Sequence, residues 1–130
     1  MRIGRGAVGL MVGLLLALPA WAADDIAARA KAGQEQEARP ENKTYFTVDY
    51  PPAMERYMTA VIRNCLAAPG AVVENFVIVA DLDKAGRYGN IEAAPAQQTT
   101  LCAIQELRQL KAPPPPSQPF PVVIDFNIQP

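Results

Sequence analysis

Residues 76–92, FVIVADLDKAGRYGNIE, decide the fold of this chain. They admit two interpretations, and each implies a different fold. By the spacing of its possible metal ligands, Asp81–Glu92 comes close to a calcium loop, with carboxylates at positions 1 and 3, a glycine at 6 and a glutamate at 12. As backbone, a run dense in β-branched residues is followed by a turn and a half-polar run, which is typical of a β-hairpin. The first interpretation gives a metal-binding protein and the second a small sheet domain.

The calcium interpretation fails at two ligand positions and on both flanks. Ala85 at position 5 and Gly89 at position 9 offer no side-chain oxygen. A calcium loop of this type also needs a helix on each side, whereas NFVIVA before it is strand-like and AAP after it cannot continue a helix beyond one turn. Gly86 supplies the positive φ that a short hairpin loop commonly needs. We therefore predict a hairpin and no metal site.

Helical and alternating patterns flank the hairpin. Apolar residues recur at helical spacing through Ala53–Ala67, and Pro69 and Gly70 end that helix. A second helix is predicted over Thr100–Leu110, where the apolar residues cover one arc of the helical wheel. A rigid proline turn follows, and Phe120–Ile128 then alternates apolar and mostly polar residues, which predicts a half-buried strand.

The predicted elements follow the order helix, strand, strand, helix, strand. The second helix is long enough to cross back over a sheet and to place the last strand beside Val72–Leu82, which becomes the central strand. Arg87–Glu92 forms the other neighbour. We predict an α+β two-layer sandwich, with two helices on one face of a three-stranded antiparallel sheet. Thr44–Asp49, rich in β-formers, is a candidate for an extra N-terminal edge strand.

The N-terminus has the pattern of a secretory signal peptide. Arg2 and Arg5 precede Ala7–Leu18, twelve residues of Ala, Val, Gly, Leu and Met, and Ala20 and Ala22 are the small residues of a cleavage site. A spanning helix needs about 20 apolar residues, so this run is too short for a membrane anchor. We predict cleavage after Ala22 and no anchor afterwards. Such a start is typical of bacterial export, which favours the periplasm, with secretion as the second choice.

Residues 23–130 would form the mature chain. They keep all 13 acidic residues but only 10 of the 12 basic ones, so the net charge is 10 − 13 = −3. That balance indicates neither nucleic acid nor an anionic membrane as a partner. Residues 23–43 are polar and contain one large apolar residue, Ile26, so we expect a frayed helix or a disordered leader with no face to bury. Residues 44–130 would be one domain.

The chain offers little for catalysis. It has no histidine, the commonest general base and metal ligand, and it contains no G-x-S-x-G motif, phosphate loop or dinucleotide fingerprint. We therefore predict no catalytic residue, no metal and no cofactor. Cys65 and Cys102 are its two cysteines, and in an oxidising compartment such a pair forms a disulfide more often than it stays as two buried thiols.

The order of these motifs resembles the C-terminal domain of TonB-type energy transducers and of the related TolA. The shared features are a Tyr-Pro start at Tyr50, a hairpin whose second strand opens with Gly86 and Arg87, a capped helix, a proline-rich turn and the closing strand PVVIDFNI. The resemblance covers Tyr50–Ile128, and the long first helix and the cysteine pair are closer to TolA. Family transducers keep an uncleaved anchor and a long proline-rich linker, and this chain is predicted to lack both.

The resemblance implies a non-enzymatic module that binds an envelope protein, such as an outer-membrane or Tol/Ton-type component, by strand addition at a sheet edge. The matching edge is the last strand. The residues expected to bind the partner are Val122, Val123, Ile124, Asp125, Phe126 and Asn127. Alternatives at the same edge are a homodimer that exchanges C-terminal strands, or a simple end of the sheet guarded by prolines or paired with Thr44–Asp49.

Two other functions compete with strand addition. A freestanding exported inhibitor or accessory subunit would instead plug a partner with a loop such as Asp83–Arg87 or Lys111–Gln118. A small hydrolase or lyase with carboxylate chemistry is the weakest alternative, because no convergent set of titratable residues can be named for it.

Overall fold

The structure, a computed structural model, describes residues 25–128. It is an α+β fold with a three-stranded antiparallel sheet, in which the strand that comes first in the chain lies between the other two. The strands are β1 (Phe76–Leu82), β2 (Tyr88–Ala94) and β3 (Pro121–Phe126). The predicted class, the hairpin and the central position of β1 are therefore confirmed. The predicted signal peptide, residues 1–22, lies outside the described residues.

Helices of three kinds accompany the sheet. The α-helices are α1 (residues 25–38 as far as the structure describes it), α2 (Tyr50–Ala67) and α3 (Gln98–Leu107). A short 3-10 helix, Pro40–Asn42, and a π-helical segment, Tyr45–Asp49, connect α1 to α2. The connection therefore stays helical for most of its length and leads directly into α2.

The prediction of an edge strand at Thr44–Asp49 is wrong, because these residues are helical. Their β-forming side chains serve packing instead. The ring of Tyr45 meets that of Phe120 edge-on at 5.1 Å, and the ring of Phe46 stacks on Phe120 at 5.5 Å. Burial of these adjacent aromatic rings against the start of β3 outweighs the weak local strand propensity.

Helices α2 and α3 pack on one face of the sheet, as predicted for two helices. The core on this face takes alternate residues of β1, namely Phe76, Ile78, Ala80 and Leu82, as the two-residue period of a strand requires. The two helices are joined by the predicted disulfide between Cys65 and Cys102, whose Cα atoms are 5.6 Å apart.

Helix α1 lies on the opposite face of the sheet. The Nη1 atom of Arg29 donates to Oε1 of Glu92 on β2 at 2.6 Å, and its Nη2 lies 3.5 Å from Oδ2 of Asp81 on β1. Val79 on β1, which pairs with Glu92 and lies two residues before Asp81, is fully buried. One turn after Arg29, Gly33 rests on the backbone of β3. The helix therefore crosses all three strands.

The expectation that residues 23–43 have no face to bury is wrong for the helical part. Large apolar side chains are scarce in α1, but Gly33 lets the helix backbone approach the sheet closely, and Arg29 anchors the preceding turn with charge. Both sheet faces are covered as a result. The fold therefore has three layers, one more than the two predicted, and the additional layer is helix α1. A glycine and a charged side chain carry this contact, and hydrophobic periodicity does not reveal it.

Gly33→Ala is expected to lower the free energy of unfolding by about 1–3 kcal/mol, because it overpacks a close contact. A Cβ at Gly33 would lie 2.8 Å from the Val123 nitrogen and 2.9 Å from the Val122 carbonyl carbon, and both are backbone atoms that cannot turn aside. Gln34→Ala, at an exposed position of the same helix, is the matched control and should leave stability unchanged or slightly higher. Urea unfolding of both variants measures the difference, and equal stability would argue against the close packing of α1.

Strand β1 begins at Phe76 and not at Val72 as predicted. The hydroxyl of Thr99 accepts a hydrogen bond from the Val72 N–H at 2.7 Å and donates to the Val72 carbonyl at 3.0 Å. A threonine at the start of α3 therefore takes both backbone groups that a sheet ladder would have used.

Candidate functional site: the open edge of strand β3

Strand β3 is an edge strand that pairs with β1 along one side only. Val122, Ile124 and Phe126 stand opposite Ala80, Ile78 and Phe76. In the same register, the N–H of Leu82 donates to the carbonyl of Phe120 at 3.0 Å, which marks that pair as hydrogen-bonded. Hydrogen-bonded and non-hydrogen-bonded pairs alternate in an antiparallel ladder, so the even-numbered residues of β3 bond to β1.

The odd-numbered residues of β3 direct their backbone groups away from the sheet. These groups are the N–H and C=O of Val123 and Asp125 and the C=O of Pro121. Pro121 occupies a position where no N–H is needed for pairing, as expected on an edge. Across residues 25–128, Val123 and Asp125 take part in no hydrogen bond outside the β1–β3 ladder. We call these groups the open edge.

A groove of about 390 Å³ runs beside the open edge. Its floor and one side are residues 122–125 of β3, and α1 contributes its last turn through Glu37. The opposite wall is apolar and comes from α2 and the segment before it. The side chains of this wall are Phe46, Tyr50, Pro51, Met54 and Met58. The groove therefore offers an apolar wall directly beside unpaired backbone groups.

Three carboxylates lie along the groove, one from each of its sides. They are Glu37 on α1, Glu55 on α2 and Asp125 on β3. The lining contains no lysine or arginine, and none of the three carboxylates forms an ion pair within residues 25–128. The groove is therefore apolar inside and uniformly acidic at its rim.

The predicted edge residues all lie on or directly after β3, but they differ in role. Val122 is buried, while Val123, Ile124 and Asp125 line the groove more openly. Phe126 is buried, with its ring stacked on Phe76 at 4.7 Å, and belongs to the core. Asn127 follows the end of the strand.

The groove walls are what sequence reasoning missed. Met54 and Met58 have helical spacing and read as ordinary core positions, and Phe46 read as part of a strand. Glu37 fell in the polar leader. Only the wrapping of residues 36–50 around the start of β3 brings them together, and no local pattern signals that arrangement.

The hairpin carboxylates that suggested a calcium loop have structural roles. The Oδ1 atom of Asp83 accepts from the N–H groups of Arg87 and Ala85, both at 2.9 Å. These bonds, that of Arg87 first, hold the pKa of the Asp83 carboxyl below its ordinary value. Asp81 and Glu92 face Arg29. Among the described residues, no three carboxylate or cysteine side chains are grouped to hold a metal ion.

The two loops considered as alternative binding elements meet at one end of the sheet. The N–H of Ala112 donates to the Gly86 carbonyl at 2.8 Å, and Arg87 and Lys111 form an isolated antiparallel bridge. Nε2 of Gln118 donates to the carbonyl of Leu82 at 3.1 Å. The hairpin turn and the proline segment are thus fastened to each other and to β1.

Buried tyrosines fix the wall of the groove. The hydroxyls of Tyr50 and Tyr88 share a hydrogen bond of 2.6 Å, and the Tyr45 hydroxyl donates to the Pro113 carbonyl at 2.7 Å. Burial is the main cause that raises the pKa of each of these tyrosines above its ordinary value. Tyr50 therefore serves as a rigid part of the wall.

Comparisons with known proteins add no relative: no family model, curated protein or solved structure matches this chain. Within residues 25–128, no helix has both the length and the apolar content that crossing a bilayer requires.

Proposed function

We propose that this chain is an exported, non-enzymatic binding module that takes up a strand of an envelope protein at the open edge of β3. The resemblance of its motifs to TonB and TolA C-terminal domains supports this mode of binding. The signal-peptide pattern of residues 1–22 and the disulfide between Cys65 and Cys102 both suit the periplasm.

One observation carries the proposal: the outward backbone groups of Val123 and Asp125 border a groove with an apolar wall. Strand addition needs unpaired backbone donors and acceptors for affinity and side-chain pockets for selectivity. An open edge is also a hazard, since it invites uncontrolled pairing. A protein that covers both faces of its sheet yet leaves this edge beside a groove is well suited to accept a partner strand there.

Asp125→Pro is expected to abolish binding while preserving the fold. Proline removes the N–H of residue 125, which points away from β1, so the internal ladder keeps its bonds while a partner strand loses one. Asp125→Ala, which keeps the N–H, is the matched control for loss of the carboxylate. Capture of envelope proteins from periplasmic extract by immobilised residues 23–130 measures binding, with partners identified by mass spectrometry.

Ile124→Pro completes the series, because the N–H of residue 124 points into the β1–β3 ladder. This variant should lose stability as well as binding, which circular dichroism would register. A partner that binds Asp125→Pro as tightly as it binds the Asp125→Ala control would contradict strand addition at β3.

A loop-binding inhibitor or accessory subunit remains the second candidate, favoured by the fastening of the hairpin turn to residues 111–118. Lys84, Arg87 and Lys111 are all exposed on these loops. Binding that survives Asp125→Pro but is lost on replacing Lys84 and Lys111 by alanine would favour this function.

A further inference from the structure

We propose that the groove selects a partner strand that alternates apolar and basic side chains. This inference rests on the proposed strand addition and adds the chemistry of the partner. It follows from the arrangement of the two kinds of groups around the open edge: apolar side chains on one side, and carboxylates along the rim.

The side chains of an added strand would project alternately to the two faces of the sheet. On the face of α2, one row would meet the apolar wall that includes Met54 and Met58. On the face of α1, the other row would meet Asp125, which shares that face with Val123, and the last turn of α1 with Glu37. Apolar residues suit the first row and lysine or arginine the second.

The charge of the groove determines the sign of the preference. Glu37, Glu55 and Asp125 line it without a basic residue among the lining side chains. A partner strand with acidic residues in the second row would bring like charges together, which costs affinity and slows association. A basic strand would instead supply counter-charges that the described part of this chain does not provide.

The same charges argue against a second copy of this chain as the occupant. Two β3 edges pairing with each other would place both Asp125 carboxylates, and the glutamates of both grooves, along one ribbon. Like charges gathered along one shared sheet edge repel each other, which costs affinity. We therefore infer a different polypeptide as the partner.

Two synthetic peptides test the inference with residues 23–130. Both are short, blocked at their ends and alternate valine with a charged residue, which is lysine in one and glutamate in the other. Fluorescence anisotropy measures their binding to wild type, to a Glu37→Gln, Asp125→Asn double variant, and to Asp125→Pro. The lysine peptide should bind wild type about tenfold more tightly than the double variant, because the two partly exposed ion pairs with Glu37 and Asp125 are lost.

Further outcomes separate the charge preference from strand addition itself. The advantage of the lysine peptide should fade near 1 M salt, where the screening length falls to about 3 Å. If both peptides bind equally and Asp125→Pro abolishes both, the charge preference is wrong and strand addition stands. If the lysine peptide binds Asp125→Pro unchanged, strand addition is wrong as well. A failure of the lysine peptide to bind at millimolar concentration, or a stable dimer in light scattering, would overturn the inference.

Discussion

Gly86→Ala is expected to lower the free energy of unfolding by about 3 kcal/mol or more, a large effect for one methyl group. Gly86 has φ +90°, and a Cβ built there would clash with the carbonyl oxygen of Ala112. The substitution therefore strains the turn and also forces it away from residues 111–113, breaking the hydrogen bond from Ala112. Chemical unfolding of the purified variant measures the loss.

Gly70→Ala is the matched control for this variant. Gly70 also has a positive φ, +77°, but a Cβ there would have nothing within 4 Å. It should cost only the backbone strain, about 1–2 kcal/mol. If both substitutions cost the same, the docking of the hairpin turn on residues 111–113 is not as described.

Removal of the disulfide is the second large effect. The Cys65→Ala, Cys102→Ala double variant should be less stable by about 4 kcal/mol, because the bridge closes a loop with a sequence separation of 37 residues in the unfolded chain. Replacing both residues avoids leaving a free thiol. Urea unfolding in the absence of reductant gives the comparison with wild type.

Reduction of the wild type provides the control for the cysteine variant. With dithiothreitol present, the wild type should fall to nearly the stability of the double variant, and the variant itself should not respond. The bridge would be shown not to form in solution by two results together. The stability of the wild type would not change with the reductant, and two thiols would titrate after unfolding without reductant.

The α+β class could be predicted because its signals are local. The pattern of residues 76–92 predicts a strand, a turn and a strand, and Gly86 at the turn has the positive φ that a short hairpin loop commonly needs. The alternation of residues 120–128 likewise matches β3. Periodicity works where one face of an element is buried in large apolar side chains.

Helix α1 could not be predicted in the same way. Its contacts come from Gly33, which has no side chain, and from Arg29, whose charged group is satisfied by Asp81 and Glu92 on two strands. The close approach of Gly33 to the sheet leaves no hydrophobic pattern in the sequence. The ion pairs of Arg29 leave no local pattern, because their partners are distant in the chain. Local propensity failed at Tyr45–Asp49 because packing against Phe120 decided the backbone there.

The candidate site was half predictable from sequence. The alternation of β3 and the prolines around it indicated an edge strand, and the structure places β3 at an edge. The groove beside it depends on the path of residues 36–50 around the start of β3, which is a tertiary feature. The acidic rim likewise joins residues from three different elements, Glu37 on α1, Glu55 on α2 and Asp125 on β3.

Residue-resolved amide hydrogen exchange on residues 23–130 tests the central claim most directly, namely that the outer side of β3 is unpaired. Buried ladder amides open only with local or global unfolding, whereas unpaired edge amides exchange freely. The amides of Val122 and Ile124 should exchange slowly, and that of Asp125 should exchange far faster despite lying in the same strand. Equal protection of Asp125 and Ile124 in the free monomer would contradict the account, because it would mean that the edge is already paired.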